Sequence, residues 1–208
     1  MVFGAILAGG KGTRMGIDKP KQFLMLGSRP IIIHTIEKFI LSPDIDEIYV
    51  GVHPDWIDYT EDLIKKYIDS DKNIILVPGG TDRNSTIFNI IDEIEKRNGD
   101  DEDNIIVTHD SVRPFVTLRI IGENVEMAKE CGAVDTVISA VDTIVVSEDG
   151  EKITSIPDRR QMFQGQTPQT FKISKLKELY NDLSDDEKEI LTDACKICVV
   201  RNVTCKTC

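Results

Sequence analysis

The chain has 208 residues, of which 40% are hydrophobic, and this is enough for one domain with a full core. Its formal net charge of -11 argues against non-specific binding to a nucleic-acid backbone, so we expect no nucleic-acid partner. No apolar run is long enough to span a bilayer and the N-terminus has no signal-peptide pattern, so we expect no membrane association and a cytoplasmic location. Five cysteines in such a chain are expected to be reduced thiols.

Strand-like and helix-like patterns alternate along most of the chain. Apolar runs predict strands at residues 2–7, 48–52, 74–77 and 105–107. Apolar residues at helical spacing predict helices over 31–41 and 55–68 and around 87–94 and 120–128. This alternation predicts a single α/β domain over residues 1–208, with a mostly parallel sheet and helices on both faces. Ligands are then expected beyond the carboxyl ends of the strands.

The pattern changes after Ala133. Residues 134–146 and 152–156 predict β-structure with a hairpin turn at 147–150, which defines a β-arm over approximately residues 136–160. A two-stranded arm is marginally stable alone, so it packs either on a second subunit or on its own domain, and both interpretations remain open. Further on, Ser174 and Ser184 are predicted helix N-caps.

A glycine-rich loop follows the first predicted strand. Such a loop directs backbone N–H groups at an anion, usually a phosphate. Lys11, Arg14 and Lys21 add three cations within eleven residues, which suits a triphosphate better than the bridging phosphates of a dinucleotide. The alternative is a structural turn with solvated cations. The binding candidates of this loop are Leu7, Ala8, Gly9, Gly10 and Gly12.

A second candidate segment covers residues 79–86. Its two glycines allow a flat ligand to lie against the backbone, and the hydroxyl groups of Ser85 and Thr86 could hydrogen-bond the edge of a base. The alternative, which we favour for the segment alone, is a helix start with Asp82 or Asn84 as N-cap. The nucleotide-binding candidates here are Gly79, Gly80, Arg83 and Thr86.

The third segment, residues 109–114, follows the predicted strand at 105–107. Asp110 stands where a Mg²⁺-linked carboxylate is expected, because Mg²⁺ takes oxygen ligands and shares them with phosphates. Arg113 could bind a phosphate monoester through two parallel hydrogen bonds. An Asp110–Arg113 ion pair that holds the loop is the alternative, and both interpretations are compatible. We expect His109 to be structural.

The cysteines of the last part of the chain form two Cys-x-x-Cys pairs, Cys195 with Cys198 and Cys205 with Cys208. This spacing is typical of zinc sites. However, the first pair lies in a helical, partly apolar run, where cysteines can be core residues, and no domain-sized loop separates the pairs. We favour the core interpretation and keep a structural metal as the alternative.

Taken together, these motifs resemble the 2-C-methyl-D-erythritol 4-phosphate cytidylyltransferase family over Val2 to about Val200. Three segments, at residues 7–10, 107–110 and 164–169, are most similar to members that act on ribitol 5-phosphate in teichoic-acid and capsule synthesis. The motifs that carry the resemblance are Leu7-Ala8-Gly9-Gly10-x-Gly12-x-Arg14-Met15, Pro20-Lys21-Gln22, His109-Asp110-x-x-Arg113-Pro114, Gln166-Thr167-Pro168-Gln169 and Leu191-Thr192-Asp193-Ala194.

The resemblance implies a three-layer Rossmann-like nucleotidyltransferase fold, CTP and a polyol phosphate as substrates, Mg²⁺ as cofactor, and a homodimer joined by the β-arm. Arg14 and Lys21 would be catalytic, and the glycines of the first loop would hold the triphosphate. Gly80 and Thr86 would contact cytosine, and Asp110 would lie beside the metal. The acceptor substrate would bind Asp110, Ser111, Arg113, Thr143, Arg159, Thr167 and Thr192.

The implied reaction transfers CMP from CTP to D-ribitol 5-phosphate. Two alternatives remain: methylerythritol 4-phosphate as acceptor, and an inactive nucleotide-binding module. The second alternative arises because family members continue with an Asn-Ile-Lys segment, whereas this sequence reaches Cys208 without one. A dehydrogenase interpretation of the glycine loop is weaker, since it leaves Lys21 unexplained.

Overall fold

The computed structural model describes residues 1–10, 19–189, 191 and 193–208. The strands in this part of the chain are β1 (Val2–Ala8), β2 (Met25–Leu26), β3 (Arg29–Pro30), β4 (Glu47–Val52), β5 (Ile74–Pro78), β6 (Ile105–Asp110), β7 (Ala133–Ser139), β8 (Phe163–Lys172) and β9 (Lys206–Thr207). The helices are α1 (Ile31–Leu41), α2 (Ile57–Tyr67), α3 (Arg83–Asn98), α4 (Leu118–Cys131), α5 (Ile173–Asn181), α6 (Asp185–Glu189) and α7 (Cys195–Val200). Short 3-10 turns occupy Lys21–Phe23, Pro54–Trp56 and Arg159–Gln161.

Seven strands form one sheet in the order β5-β4-β1-β6-β8-β7-β9, and β2 pairs with β3 in a separate hairpin. Strands β5, β4, β1 and β6 are parallel, whereas β8 runs antiparallel to both β6 and β7. The predicted α/β fold with a mostly parallel sheet is confirmed. The sequence patterns did not predict β8, because glutamine, glycine and proline interrupt its apolar pattern.

Hydrophobic residues fill both faces of the sheet. Along β1, Phe3 and Ala5 point to one face and Ile6 and Ala8 to the other, as expected from the two-residue period of a strand. The first pair packs with α3, α5 and α7, and the second with α1, α2 and α4. The chain therefore has the three layers expected of an α/β domain.

The predicted β-arm contains much less strand than expected. Strand β7 ends at Ser139, and an antiparallel bridge between Val146 and Ser155 is the pairing found beyond it within the arm. Gly150, at φ +76°, lies in the predicted turn. The prediction of continuous strands is wrong because the arm has little apolar support: the exposed fraction of Val141 is 80%.

The two predicted helix caps differ in outcome. Ser174 lies inside α5, which begins at Ile173, so its prediction as an N-cap is wrong. Ser184 does form a capping box: its Oγ accepts from Glu187 N at 3.3 Å, and its backbone N–H donates to Glu187 Oε2 at 2.9 Å. Among the described residues, no helix has the length and apolar character needed to cross a membrane.

A buried amide joins α4 to the antiparallel part of the sheet. Asn124, which is fully buried, donates through Nδ2 to Thr136 Oγ1 at 2.9 Å, and its Oδ1 accepts from Thr170 Oγ1 at 3.3 Å. Thr136 in turn donates to Pro168 O at 2.7 Å. The chain of hydrogen bonds thus fixes α4, β7 and β8 relative to one another.

We expect Asn124→Ala to lower the free energy of unfolding by about 1–3 kcal/mol, because the change leaves buried hydroxyl groups without their partner. Urea unfolding followed by circular dichroism measures this change. The control is Asn181→Ala at the exposed end of α5, which should stay within about 0.5 kcal/mol of the wild type. Equal losses in the two variants would contradict the role given to Asn124.

Candidate active site

The three candidate loops meet at one edge of the sheet. Leu7 pairs with Asp110 of β6, Ala8 pairs with Val52 of β4, and Val52 pairs with Pro78 of β5, so these strands end at the same level. A cavity of about 230 Å³ lies between the loops. It is lined by Leu7, Gly9, Gly10, Gly80, Thr81, Asp82, Arg83, Thr86 and Asp110. The predicted convergence of the three segments is confirmed.

A larger cavity, of about 660 Å³, lies between α1 and the end of α2. None of the predicted site residues lines it. The smaller cavity therefore remains the candidate site, because it collects the glycines and charged groups at the carboxyl ends of the strands.

Gln22 fastens the glycine loop to the turn that carries Lys21. Its side chain is almost fully buried, and Nε2 donates to Ala8 O at 2.9 Å and to Gly10 O at 3.4 Å. Phe23, the next residue, packs against Trp56 in the core. Gln22 belongs to the Pro20-Lys21-Gln22 motif, but the motif predicts no role for it. A sequence does not distinguish an exposed glutamine from a buried one that binds backbone oxygens.

The glycines of the first two loops allow backbone to pack against backbone. A Cβ at Gly79 would lie 3.3 Å from Gly9 Cα and 3.3 Å from Val52 O, and one at Gly9 would lie 3.1 Å from Thr86 Oγ1. Gly79 N also donates to Val52 O at 2.7 Å. We predicted that these glycines let a ligand approach the backbone. In part, they let the two loops approach each other.

The start of α3 is built by a capping box. Asp82 Oδ1 accepts from Ser85 N at 2.9 Å, and Ser85 Oγ accepts from Asp82 N at 2.9 Å, so the N-cap interpretation of Asp82 is confirmed. Thr86 Oγ1 accepts from Gly80 N at 3.0 Å and donates to Asp82 O at 2.8 Å. Both hydroxyl groups that we proposed for base contact thus hold the loop in this structure.

Arg83 is the feature of the cavity that points most directly to a ligand. It is the first residue of α3, its side chain is 23% exposed, and its Nε lies 3.7 Å from Asp110 Oδ1. Its Nη1 and Nη2 atoms are buried, and neither finds a hydrogen-bond acceptor among the described residues. Because a buried guanidinium without acceptors is unfavourable, an anion in the cavity would stabilise it, and phosphate fits its paired N–H groups.

Asp110 lies between two arginines at the end of β6. Its Oδ2 accepts from Arg113 Nε at 3.0 Å, which confirms the predicted ion pair. Arg113 also donates to the side chain of Gln166, and Thr167 Oγ1 lies 3.4 Å from Asp110 N. Strand β8 thus places Gln166 and Thr167 next to Arg113 and Asp110, although Thr167 does not line the cavity.

Ser111 and His109 are held by the fold. Ser111 is 3% exposed and donates its backbone N–H to Leu7 O at 3.1 Å, which leaves little of it accessible to a substrate. His109 is fully buried beside Phe39, and its Nε2 lies 3.0 Å from Arg113 O. Burial lowers the pKa of His109 to about 4, so the ring is neutral at pH 7. The structural role expected for His109 is confirmed.

The remaining predicted residues lie apart from the cavity or outside the described part of the chain. Thr143 and Arg159 are on the arm and do not line the cavity, and Arg159 Nη1 donates to Val141 O at 2.7 Å. Ala8 and Gly79 do not line the cavity either. Ala8 O accepts from Gln22 Nε2, and Gly79 packs against Gly9. The predictions for Gly12, Arg14 and Thr192 lie outside the described residues.

The parallel sheet ends in glycine loops, and the cavity between them contains guanidinium N–H groups that find no acceptor in the described part of the chain. This arrangement is typical of an α/β protein that binds a nucleotide or another phosphate compound. The family model described as "IspD: 2-C-methyl-D-erythritol 4-phosphate cytidylyltransferase" matches residues 2–203. The chain belongs to this family of cytidylyltransferases.

Curated relatives and solved structures agree with this assignment. The ribitol-5-phosphate cytidylyltransferase of Streptococcus pneumoniae (strain ATCC 700669 / Spain 23F-1) is 57% identical over 203 residues, which cover 97% of this chain and 86% of the relative. The protein with the same name from S. pneumoniae serotype 2 (strain D39 / NCTC 7466) matches equally well.

Among solved structures, the 2-C-methyl-D-erythritol 4-phosphate cytidylyltransferase (IspD) of Francisella tularensis is similar with a TM-score of 0.79 at 24% identity. The match covers 99% of this chain and 88% of that one. The 4-diphosphocytidyl-2C-methyl-D-erythritol synthase of Anaerococcus prevotii DSM 20548 is similar with a TM-score of 0.77 at 24% identity, over 100% and 86% of the two chains. At this identity the two structures establish the fold.

The buried His109 makes the stability of the protein depend on pH. Its pKa is about 4 when folded, against an ordinary value of 6.5, so the unfolded chain binds the proton more tightly. Stability is therefore complete above about pH 6.5 and falls as the pH drops towards 4, by about 3 kcal/mol for the whole shift. Urea unfolding between pH 7.5 and pH 4.5, without divalent metal, measures this slope.

In this experiment His109→Gln should flatten the dependence of the free energy of unfolding on pH, because the variant has no imidazole at this position to protonate. His34→Gln, on the surface of α1, is the matched control and should keep the slope of the wild type, since His109 is intact. A wild-type slope in His109→Gln would assign the pH dependence to other groups.

Proposed function

We propose that this chain transfers CMP from CTP to D-ribitol 5-phosphate and produces CDP-ribitol and pyrophosphate, for teichoic-acid or capsule synthesis. The observation that carries the proposal is the similarity, over nearly the whole chain, to the pneumococcal enzymes named for ribitol 5-phosphate. The structure supports it with a cavity of about 230 Å³ lined by Arg83, whose Nη1 and Nη2 atoms find no acceptor among the described residues. The reaction takes place in the cytoplasm in this proposal, which agrees with the five free cysteines.

The chemistry needs charge stabilisation and positioning more than acid–base catalysis. A phosphate oxygen of the acceptor attacks the α-phosphorus of CTP, and the bond from that phosphorus to the bridging oxygen breaks as its electron pair leaves with pyrophosphate. The nucleophile is already an anion, so the protein needs no general base. What it must do is hold two anions together and stabilise the charge of the transition state.

We assign the triphosphate to the glycine-loop side of the cavity. There Gly9 and Gly10 present backbone, and Gln22 keeps the turn that begins with Lys21 against that backbone. Arg83 lies at the start of α3, and its Nη1 and Nη2 atoms, which have no acceptor within the described ranges, match phosphate oxygens. The acceptor phosphate is assigned to the opposite side, near Arg113 and Thr167, which flank Asp110.

The residues present fit a role for Mg²⁺ at Asp110. The ion prefers oxygen ligands and is commonly held by one or two carboxylates together with substrate phosphates. Asp110 offers such a carboxylate at the edge of the cavity, and Arg83 and Arg113 keep it oriented from both sides. When bound, Mg²⁺ would neutralise charge on the triphosphate and on the leaving pyrophosphate.

We also propose that the arm packs against a second copy of the chain. Its apolar side chains are exposed: Val141 by 80%, Ile153 by 61% and Ile156 by 61%. Several large apolar side chains exposed within one short segment are consistent with a protein contact. In a homodimer of this type, Thr143 and Arg159 would reach the acceptor site of the neighbouring subunit.

An assay of pyrophosphate release with two acceptors tests the proposed function. With CTP and Mg²⁺, we expect turnover with D-ribitol 5-phosphate and a kcat/KM at least about tenfold lower with methylerythritol 4-phosphate, a factor that corresponds to about 1.4 kcal/mol. A preference for methylerythritol 4-phosphate would contradict the assignment of the acceptor. Binding of CTP in calorimetry without turnover of either acceptor would identify an inactive nucleotide-binding module.

Lys21→Ala should lower kcat by at least about two orders of magnitude, a typical cost for the loss of a group that stabilises transition-state charge. Steady-state kinetics with saturating CTP and acceptor measures the effect. Lys19→Ala is the matched control: Lys19 is two residues away and its Nζ donates to Tyr59 OH at 2.7 Å, so we expect nearly wild-type kcat. A loss below about fivefold in Lys21→Ala would remove Lys21 from the catalytic role.

A further inference from the structure

Strand β8 contains a bulge where it passes the end of β6. Its residues 166–168 lie opposite the single residue Thr136 of β7, whereas a regular antiparallel pair matches residues one to one. The pairing of β8 with β6 ends at Thr108 and Gln169, so the bulge lies beside the last two residues of β6. A bulge bends its strand and changes the direction of its side chains, and bulges are common next to active sites.

Two threonine hydroxyl groups hold the backbone of the bulge from the neighbouring strands. Thr136 Oγ1 donates to Pro168 O at 2.7 Å, and Thr108 Oγ1 donates to Gln169 O at 3.0 Å. Both threonines are buried, and their bonds take the place of ladder hydrogen bonds that the bulge interrupts. The fold therefore fixes the conformation of the bulge without a ligand.

The bulge directs the side chain of Gln166 at Arg113. Gln166 Oε1 accepts from Arg113 Nη1, and Gln166 Nε2 donates to Gly165 O at 3.1 Å. The nitrogen of the amide is thus bonded to its own strand, which leaves the oxygen to face the guanidinium. Gln166 is half-buried, so the bond to Arg113 is partly shielded from water.

Arg113 is held on two sides and keeps donors for a ligand. Its Nε donates to Asp110 Oδ2 at 3.0 Å, and its Nη1 donates to Gln166. A guanidinium has five N–H donors, so three remain after these two bonds. The side chain is 42% exposed, which makes the remaining donors accessible. Because the guanidinium is planar and rigid, the two bonds also fix the direction of the donors that remain.

We propose that Gln166 is a positioning residue, which holds the guanidinium of Arg113 in the orientation that binds the phosphate monoester of the acceptor. The inference rests on the proposed function, in which the acceptor phosphate binds near Arg113. Without Gln166, the long arginine side chain keeps its bond to Asp110 and can rotate about it. Binding of the phosphate would then have to order the side chain, which weakens the affinity.

The amide of Gln166 suits this role because it carries no charge. A carboxylate at the same position would also accept from Arg113, but it would oppose the attraction between the guanidinium and an anionic phosphate. Asp110 already supplies one negative charge on the other side of Arg113. Gln166 therefore orients the guanidinium and leaves its positive charge available to the acceptor.

Kinetics of Gln166→Leu test the proposal, because leucine is similar in size and cannot accept a hydrogen bond. With CTP, Mg²⁺ and D-ribitol 5-phosphate, we expect the KM of the acceptor to rise about tenfold, whereas kcat and the KM of CTP stay within about twofold of the wild type. Gln164→Leu, at an exposed position two residues earlier on β8, is the matched control and should keep the wild-type KM. Equal Tm values would show that both variants are folded.

A double-mutant cycle shows whether Gln166 acts through Arg113. Arg113→Met should raise the KM of the acceptor at least as much as Gln166→Leu does. Adding Gln166→Leu to Arg113→Met should then change this KM by less than about twofold, because the group that Gln166 holds is already absent. A tenfold rise in both backgrounds would give Gln166 a role independent of Arg113 and would contradict the proposal.

The activity of the wild type separates this inference from the proposed function. An active wild type with an unchanged acceptor KM in Gln166→Leu would contradict the role of Gln166 and leave the proposed function intact. If the wild type turns over no acceptor, the proposed function fails, and the Kd of D-ribitol 5-phosphate from calorimetry replaces KM in the same comparison. Equal Kd values, or no binding by the wild type, would then contradict the positioning role as well.

Discussion

The candidate site depends on the close approach of two loops at the carboxyl edge of the sheet. Gly79 lies so near Gly9 and Val52 that a methyl group at this position would contact both. Thr86 completes the arrangement, because its hydroxyl group joins Gly80 N to Asp82 O. These contacts hold both loops in place, so the cavity between them has its shape before a ligand enters. Binding therefore loses less conformational entropy. Larger side chains at the two glycines would remove this preorganisation.

Two arginines flank the carboxylate of Asp110 at the edge of the cavity. Asp110 lies between Arg83 and Arg113, and in the described part of the site the nearer pairing is with Arg113. Arg83 therefore retains N–H groups that a phosphate can take. A protein with a formal net charge of -11 repels anionic substrates at long range, so local cations at the cavity must overcome that repulsion at short range. The arginines on both sides of Asp110 provide this local field.

Much of the fold followed from the sequence, because buried parallel strands and amphipathic helices have distinct periodicities. Strands β1, β4, β5 and β6 and helices α1 and α2 were predicted to within three residues at each end, whereas β2 and β3 were not predicted. Strand β8 was missed, since its polar residues face a hydrogen-bond network rather than the core. The glycines at strand ends predicted the edge of the sheet where the loops meet, and these loops line a cavity there. The roles of Gln22 and Thr86 could not be predicted, because they depend on contacts between distant backbone groups.

The strand content of the arm was overpredicted, because an alternating apolar pattern predicts a strand whether or not other residues pack against it.

The position of β8 has a consequence for how the chain folds during synthesis. It is inserted between β6 and β7, although both of these precede it in the sequence. Until residues 163–172 have emerged from the ribosome, β6 has an open edge and β7 has no partner strand within the sheet. The nascent chain therefore exposes unpaired backbone of an apolar strand for a long interval, which is a situation that favours wrong pairing. We infer that closure of the sheet by β8 is a late step with high contact order. Since β8 also carries Gln166 and Thr167, their contacts with Arg113 and Asp110 form only after this strand has joined the sheet.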